Sequence, residues 1–288
     1  MAIVNFLFWN LYGRSKNQAL REPAVRASIG RLAATHKIDV FLFAECAIDH
    51  SALIATLDGA GGGNYHRVPS CSDRIVYFSR LPNARWVEHL INPLSDRHVI
   101  QSLEVGQSKS ILVVGVHGKS PLEVSSEGGR AELAQDIARD IRAVEDIAVG
   151  HRRTVVVGDF NMNPFEQGMV GVRSMHALIS RELAQTVHRM GARADYPCFY
   201  NPMWTFFGDW PSATRPPGTY FFANFSDPGN HFWNIFDQVI VRPELIGHLT
   251  RLEILDNDGR ESLVTRPGGR PKKATLADHL PLLFSLTL

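Results

Sequence analysis

The strongest chemical signal is GDFNMNP at residues 158–164, which directly follows the apolar segment TVVV. Asp159 and Asn161 stand two residues apart at the end of this segment, so a strand would direct both side chains to one side. A carboxylate and a neutral amide can together orient a water molecule and hydrogen-bond a phosphoryl oxygen. An Asx-rich turn that ends a strand gives the same pattern, so the motif alone leaves a catalytic and a structural interpretation open.

Polar side chains also end or interrupt several other apolar segments, such as NFLFWN, DVFLFAE, SILVVGVH and IFDQVIV. These residues are Asn10, Glu45, His117, Asp237, Asp278 and His279. Each alone is compatible with an ordinary turn residue or a satisfied core polar group. Strand ends on one edge of a sheet converge in space, however, so the set predicts one shared site.

The elements that would position these residues are short strands interleaved with a few helices. The segments that are β-branched or aromatic and bounded by turn residues predict strands at Ile3–Trp9, Ile38–Ala44, Arg74–Ser79, His98–Val105, Ser110–Val116, Thr154–Val157, Ile235–Val241, His248–Leu255 and Leu282–Leu288. Helical periodicity predicts helices over Ala19–His36 and Arg130–Val149, and a third between Val172 and Met190. Asp58–Ser72 carries GAGGGN and is predicted as a loop. This order indicates a mixed α/β fold.

Taken together, the motifs resemble those of the endonuclease/exonuclease/phosphatase superfamily. Its members include deoxyribonuclease I, exonuclease III-type abasic-site endonucleases, inositol polyphosphate 5-phosphatases and neutral sphingomyelinases. The matching positions run from Asn10 to His279, which is nearly the whole chain. The resemblance implies one domain over residues 1–288, built as a four-layered α/β sandwich of two mixed β-sheets flanked by helices, with the active site at one rim.

The resemblance also implies a metal and a water-activating pair. Asn10, Glu45 and Asp278 match positions that hold, orient or lie near a divalent metal, normally Mg²⁺, for which Mn²⁺ can substitute. Oxygen donors of this kind suit that hard ion. Asp159 and Asn161 match the pair that activates water and stabilises the pentacovalent phosphorus.

Three further positions complete the implied machinery. Asp237 and His279 match an Asp–His dyad, in which the carboxylate fixes the imidazole tautomer. His117 matches a histidine that contacts the phosphate or the leaving group. Whether the imidazole or Asp159 acts as the base stays open at this point.

The sequence departs from the family pattern in two places. Tyr12 stands where the exonuclease III-type enzymes carry an Asp, so one carboxylate near the metal is missing. The residues before His117 read VVGV rather than the more usual apolar-Asn-Thr. Arg74 lies where family members present a basic or small residue near the phosphate, and it is a candidate substrate ligand. An exposed arginine at a strand end explains that position equally well.

Substrate choice is expected to lie in a long aromatic loop at about residues 196–233. Trp204, Trp210 or Tyr220 is expected to stack on a base of single-stranded nucleic acid, and Asn201 and Arg215 are the polar members expected to face a substrate. The competing interpretation is a small satellite core that packs on itself and holds the loop in place.

Composition narrows the class of protein. The chain has 288 residues, 44% of them hydrophobic, and a net charge of +1, which excludes a disordered chain and gives no overall basic footprint. Three cysteines without a CxxC motif predict neither a disulfide framework nor a zinc site. The N-terminus reads as a strand rather than a signal peptide, and no apolar run approaches the roughly 20 residues of a transmembrane helix. We therefore expect a cytoplasmic protein without a membrane partner.

The sequence thus predicts a divalent-metal-dependent phosphodiester hydrolase, first of all a nuclease, in which an activated water attacks phosphorus in line. The alternative is a phosphatase or phosphodiesterase that acts on a small phosphorylated molecule. A degenerate fold kept only for binding is the third interpretation, and it ranks last because the key polar positions are present. The expected partner is nucleic acid or a phosphorylated small molecule, and the oligomeric state is not predicted.

Overall fold

The computed structural model describes residues 2–288 apart from 14, 93–94, 107–108, 122, 125, 190–195, 211–213 and 227–228. In chain order its strands are β1 (Ile3–Asn10), β2 (Val40–Ala44), β3 (His66–Arg67), β4 (Ile75–Ser79), β5 (Trp86–Glu88), β6 (His98–Gly106), β7 (Lys109–His117), β8 (Thr154–Asp159), β9 (Ala177–Leu178), β10 (Phe199–Tyr200), β11 (Tyr220–Phe221), β12 (Trp233–Asn234), β13 (Asp237–Val241), β14 (Leu249–Ile254) and β15 (Leu282–Thr287). The helices are α1 (Gln18–His36), α2 (His50–Gly61), α3 (Glu127–Ala143), α4 (Gln167–Val170) and α5 (Arg181–Arg189). A π-helical turn, Val144–Val149, continues α3, and 3₁₀ turns cover Asn83–Arg85, Pro202–Phe206 and Pro243–His248.

The strands form two large mixed sheets and one small hairpin. The first sheet has the order β14-β15-β1-β2-β4-β3, and the second has the order β5-β6-β7-β8-β13-β10-β9. Strands β11 and β12 pair separately as the hairpin. In each large sheet one central pair is parallel, β1 with β2 and β7 with β8. The predicted α/β class with two mixed sheets is confirmed.

The layers follow from alternation along the central strands. In β7, Val113 packs in the core between the two sheets, whereas Leu112 and Val114 pack in a second core with α3, which contributes Ile137 and Ile141. Successive side chains of a strand point to opposite faces, so a strand covered on both faces reads as an unbroken apolar run. On the outer side of the first sheet, α1 and α2 supply the apolar cover. None of the helices in the described part of the chain is long and apolar enough to cross a membrane.

Helix α2 is the main element that the sequence prediction missed. Asp58–Ser72 was expected to be a loop, but residues 58–61 complete α2 and residues 66–67 form β3. Asp49 caps the helix, because its side chain accepts a hydrogen bond of 2.9 Å from the Ala52 N–H. Leu53 and Leu57 are fully buried one helical turn apart. The glycines at the end of the segment favour a loop prediction in spite of the Asp49 cap and the spacing of Leu53 and Leu57.

Other predicted boundaries shift modestly. The helix predicted over Arg130–Val149 begins at Glu127 and changes to a π-helical turn at Val144. The helix predicted between Val172 and Met190 is α5, and Met190 itself lies outside the described residues.

A buried ion cluster holds the end of the β8–β13 pair that lies away from Asp159 and Asp237. Glu145 accepts hydrogen bonds of 2.8 Å from both Nε and Nη2 of Arg242 and one of 2.7 Å from Arg152 Nη1. The Thr154 hydroxyl adds a bond of 2.6 Å. Arg242 follows β13 and Thr154 begins β8, so Glu145 joins both strands to the turn after α3.

We expect Glu145→Gln to lower the free energy of unfolding by about 3 kcal/mol, because a buried guanidinium then lacks its carboxylate partner. The matched control is Asp146→Asn. Asp146 also binds Arg152, but its side chain is 55% exposed, so its loss should cost less than about 1 kcal/mol. Urea unfolding of the two variants measures the difference. Equal effects would contradict a structural role for the buried cluster.

Candidate active site

The two sheets meet at one rim, where a hydrogen bond joins their central strands. Asn10 ends β1 and Asp159 ends β8, and the Asn10 Nδ2 donates to Asp159 Oδ2 over 3.0 Å. The Asn10 Oδ1 accepts from the Tyr12 N–H over 3.0 Å, so the amide is held at both ends. Both side chains are buried. The Asn10 amide therefore holds together two strand ends that lie 149 positions apart in the sequence.

An Asp–His pair lies beside this bond. Asp237 begins β13 directly opposite Asp159 in the antiparallel register, and its side chain is fully buried. His279 Nδ1 lies 2.7 Å from Asp237 Oδ2, and His279 Nε2 lies 3.9 Å from Asp159 Oδ2. The indole of Trp9 donates a 2.9 Å bond to the His279 carbonyl and fixes the backbone at this position. One ligand atom from each of Asp159, Asp237 and His279 can be chosen so that all three lie within 4.8 Å of one another.

Electrostatics couples these groups. Burial raises the pKa of Asp159, while His279 counteracts this effect and Asp237 adds to it. Burial lowers the pKa of His279, but the charges of Asp237 and Asp159 outweigh it and raise this pKa to about 10. The two carboxylates therefore favour the protonated, positively charged form of the His279 imidazole.

Across the rim, Glu45 and His117 form a second pair. Glu45 follows β2 with a φ of 48°, a left-handed conformation that is uncommon for a residue with a side chain. Its Oε1 lies 3.4 Å from His117 Nε2. His117 ends β7 beside Asp159 in the parallel register. The buried Nδ1 of His117 has no hydrogen-bond partner in the described part of the chain.

Asn161 also has a left-handed backbone, with a φ of 52°. Its N–H donates to Asp159 Oδ1 over 2.9 Å, and its side chain reaches the Gly118 carbonyl over 3.4 Å. Strain of this kind is typical of functional sites. Gly158 permits the close approach of β7 and β8, because a Cβ there would lie 1.9 Å from the Val116 carbonyl oxygen.

Asp278 lies at the same rim with one oxygen in use and one free. Its Oδ2 is 3.4 Å from the ammonium of Lys273, and its buried Oδ1 has no hydrogen-bond partner among the described residues. Lys273 also lies 4.7 Å from the ring centroid of Tyr12. A free carboxylate oxygen, the Glu45 carboxylate and the Asn10 amide are hard oxygen donors that fit a divalent cation. Lys273 occupies the neighbourhood where the carboxylate missing at Tyr12 was expected.

Arg74 lines a cleft of about 450 Å³ together with Glu45 and His117. Its Nε forms a salt bridge to Asp96, and its Nη1 is buried without a partner in the described residues. The structure therefore brings Arg74 to the same cleft as two predicted site residues, with one donor unused.

Three predicted substrate ligands are not brought into this cleft. Asn201 is fully buried, donates to Gln238 Oε1 over 2.8 Å and caps the following turn through the Met203 N–H, so the structure corrects the expectation that it faces a substrate. Trp204 packs on Phe207 with ring centroids 5.9 Å apart.

Arg215 points to the carbonyls of Thr205 and Gly208, at 3.4 and 3.3 Å, and its guanidinium lies over the Phe206 ring. The described part of the segment predicted as an aromatic loop is therefore held by its own contacts, and residues 211–213 and 227–228 of it lie outside the described residues. The satellite-core interpretation agrees with these contacts.

Tyr220 lies at the site, where the sequence predicted a base-stacking role for it but not a contact with His279. Its ring lies 4.6 Å from the His279 ring and stacks on Phe236 at 5.3 Å. Tyr220 and His279 also form an isolated antiparallel bridge. The phenol ring therefore covers one face of the imidazole, a contact that the positions of the two residues in the sequence do not predict.

The fold and these residues agree with one family. A family model described as Endonuclease/Exonuclease/phosphatase family matches residues 7–261, and the chain belongs to this family. Members of the family are metal-dependent hydrolases of phosphoester bonds. No curated protein sequence matches the chain.

Several solved structures share the fold. A humanised D. rerio TDP2 with 14 mutations is 13% identical, with 99% of each chain covered and a TM-score of 0.57. An endonuclease/exonuclease/phosphatase family protein from Bacteroides thetaiotaomicron is 14% identical, with 99% of this chain and 95% of that chain covered and a TM-score of 0.57. The endonuclease domain of TRAS1, a telomere-specific non-LTR retrotransposon, is 12% identical, with 100% and 99% covered and a TM-score of 0.53. At these identities the likeness shows a shared fold.

We expect Asp237 and His279 to act as one unit. Asp237→Asn and His279→Ala should each lower kcat by on the order of 10³, and the double variant should be no worse than the poorer single variant, because losses within one unit are not additive. Hydrolysis of bis-p-nitrophenyl phosphate measures kcat, and circular dichroism checks that each variant is folded. Multiplicative losses in the double variant would separate the two residues.

We expect the Tyr220 ring, rather than its hydroxyl, to position His279. Tyr220→Phe keeps the stacked face and should retain most of the activity. Tyr220→Leu should lower kcat about tenfold with a smaller change in KM, since an aromatic pair contributes roughly 0.5–1.5 kcal/mol. Steady-state kinetics of the two variants on one substrate decides the matter. Equal losses in both would assign the effect to the hydroxyl.

Proposed function

We propose that the protein is a Mg²⁺-dependent phosphodiester hydrolase and, among these, a nuclease. The observation that carries this proposal is the placement of Asp159. Its carboxylate accepts hydrogen bonds from Asn10 and from the Asn161 N–H, and it faces an imidazole that Asp237 fixes. A held carboxylate beside a held imidazole is the arrangement that hydrolysis by an activated water requires.

The residues that would hold Mg²⁺ are Glu45, Asp278 and Asn10, with Mn²⁺ as an expected substitute. The free oxygen of Asp278 and the Glu45 carboxylate supply hard ligands. When bound, the cation neutralises charge that develops on the phosphoryl oxygens.

On one side of the reacting phosphorus, Asp159 and His279 hold the attacking water. The 3.9 Å between Asp159 Oδ2 and His279 Nε2 is longer than a hydrogen bond. A water or a phosphoryl oxygen that bonds to both atoms would fill this gap. Asp237 keeps the imidazole oriented, so Nε2 stays directed towards the gap.

On the other side, His117 and Asn161 would contact the phosphoryl or leaving oxygen. The Nδ1 of His117 is buried without a partner in the described residues, and Glu45 holds the opposite ring nitrogen. Arg74, with an unused Nη1 in the same cleft, would bind a phosphate oxygen. The nuclease assignment also draws support from TRAS1, whose domain of the same fold is an endonuclease.

One observation favours a second candidate, a phosphatase or phosphodiesterase that acts on a small phosphorylated molecule. The cleft beside Arg74 has a volume of about 450 Å³, which suits one small molecule. Asp73 and Asp96 also line it, so it is less cationic than a groove for a polyanion would be.

The proposal is tested with wild-type protein and Mg²⁺ on plasmid, single-stranded DNA, RNA, abasic DNA, bis-p-nitrophenyl phosphate and inositol phosphates. We expect hydrolysis of the nucleic acids and loss of that activity with EDTA. Hydrolysis of inositol phosphates alone would favour the second candidate.

We further expect Glu45→Gln to abolish metal-dependent turnover and to weaken binding of Mn²⁺ by at least about tenfold, because a hard carboxylate ligand becomes a neutral amide. Calorimetry with Mn²⁺ gives a measure that does not depend on turnover. Glu132→Gln, an exposed change on α3, is the matched control. Unchanged Mn²⁺ affinity in Glu45→Gln would remove Glu45 from the metal site.

A further inference from the structure

A basic segment borders the active site. Residues 265–275 read TRPGGRPKKAT, with four cations and no carboxylate. Backbone hydrogen bonds fix the segment: the Thr265 N–H donates to the Arg270 carbonyl over 2.9 Å, and the Gly268 N–H donates to the Thr214 carbonyl over 2.7 Å. These cations are therefore carried on an ordered turn.

Three of the four cations of this turn have no carboxylate partner in the described part of the chain. Arg266, Arg270 and Lys272 form no ion pair within the described part of the chain, and both arginines are exposed. Many other arginines have carboxylate partners, among them Arg31, Arg67, Arg74, Arg80, Arg97, Arg130, Arg139, Arg152, Arg242 and Arg251. The turn is thus a local positive surface on a chain whose net charge is only +1.

One contact connects the turn to the reacting groups, and a second connects it to β11. Lys273 reaches Asp278 Oδ2 over 3.4 Å. The guanidinium of Arg270 lies 4.2 Å from the ring centroid of Phe221. Phe221 follows Tyr220 in β11, so its side chain lies on the opposite face of the strand from the Tyr220 ring that packs on His279. Lys273 therefore carries the link from the turn to the rim where phosphorus would react.

Aromatic side chains extend the same surface. The Phe221 ring lies 6.4 Å from Phe232, which lies 5.1 Å from Phe225. Phe225 is 78% exposed and Phe222 is 45% exposed. Exposed aromatic faces beside unpaired cations are the combination that binds single strands, with bases on the rings and phosphates on the cations.

We propose that residues 265–275, together with the aromatic side chains of Phe221, Phe222 and Phe225, bind a single strand of nucleic acid on one flank of the scissile phosphate. This inference rests on the proposed nuclease function and names its substrate class. Arg266 and Arg270 contact backbone phosphates of the flanking nucleotides. Phe222 and Phe225 offer faces for unstacked bases, which a duplex does not present.

The test is binding of a fluorescent deoxythymidine oligonucleotide of about 12 nucleotides, a length in the range of known single-strand sites. EDTA prevents cleavage, and anisotropy is recorded over a series of salt concentrations. The variant is Arg266→Ser with Arg270→Ser. The matched control is Arg85→Ser with Arg181→Ser, which removes the same charge from two arginines that form no ion pair in the described part of the chain and lie outside this surface.

For the wild-type protein we expect salt-dependent binding. In the Arg266/Arg270 variant, Kd should rise at least about tenfold, because charge-assisted hydrogen bonds to phosphate are lost. The magnitude of the slope of log Kd against log salt should fall by about 1.4, since each phosphate contact on a single strand contributes about 0.7. The control variant should bind as the wild type does.

Three outcomes would contradict the proposed surface. The first is equal binding by both variants and the wild type, and the second is tighter binding of a duplex of the same length. The third is binding of anionic phosphatidylserine vesicles and not of the oligonucleotide. If any of these is found while wild-type protein with Mg²⁺ cleaves the oligonucleotide, the proposed surface is wrong and the proposed nuclease function is supported. If the wild-type protein hydrolyses no nucleic acid, the proposed function fails first.

Discussion

The active site depends on two carboxylates that the second sheet buries directly opposite each other. Asp159 and Asp237 are register partners on β8 and β13, with exposed fractions of 1% and 0%. Two buried like charges are costly unless other groups compensate them. His279 supplies the positive partner, 2.7 Å from Asp237 and 3.9 Å from Asp159. The amide of Asn10 and the N–H of Asn161 supply donors to Asp159.

The groups that compensate these buried charges also link the packing of the fold to the positions of the catalytic residues. Asn10 comes from the first sheet, and the neighbouring Trp9 donates to the His279 carbonyl, so packing of the two sheets sets the positions of both reacting groups. At the other end of the same strand pair, Glu145 holds Arg242 and Thr154. One end of β8–β13 is therefore closed by a fully satisfied ion cluster. The end with Asp159 keeps an incomplete set of partners and is open to a ligand.

The sequence predicts the parts of the site that come from strand ends. Asp159 and His117 follow apolar runs in one parallel pair, so alternation and register are enough to place them together. Contacts between distant residues do not follow from local pattern: the Tyr220 ring on His279 depends on an isolated bridge between the hairpin and the residues that precede the final strand. Likewise, Asn201 looks like a polar loop residue in the sequence, but Gln238 on β13 gives it a buried partner.

The net charge of the chain does not show how its charged side chains are distributed over the fold. The chain has 30 basic and 29 acidic residues, so its composition gives no basic footprint. In the fold, many of its arginines pair with nearby carboxylates, as Arg97 does with Glu123 and Arg130 with Glu166. Such pairs cancel in the external field, whereas unpaired cations do not. The turn of residues 265–275 reaches Asp278 through Lys273 and carries three further cations without an ion pair in the described part of the chain. The field that an anionic substrate meets is therefore set by pairing and position. A protein with almost no net charge can therefore still present a positive approach to its own catalytic rim.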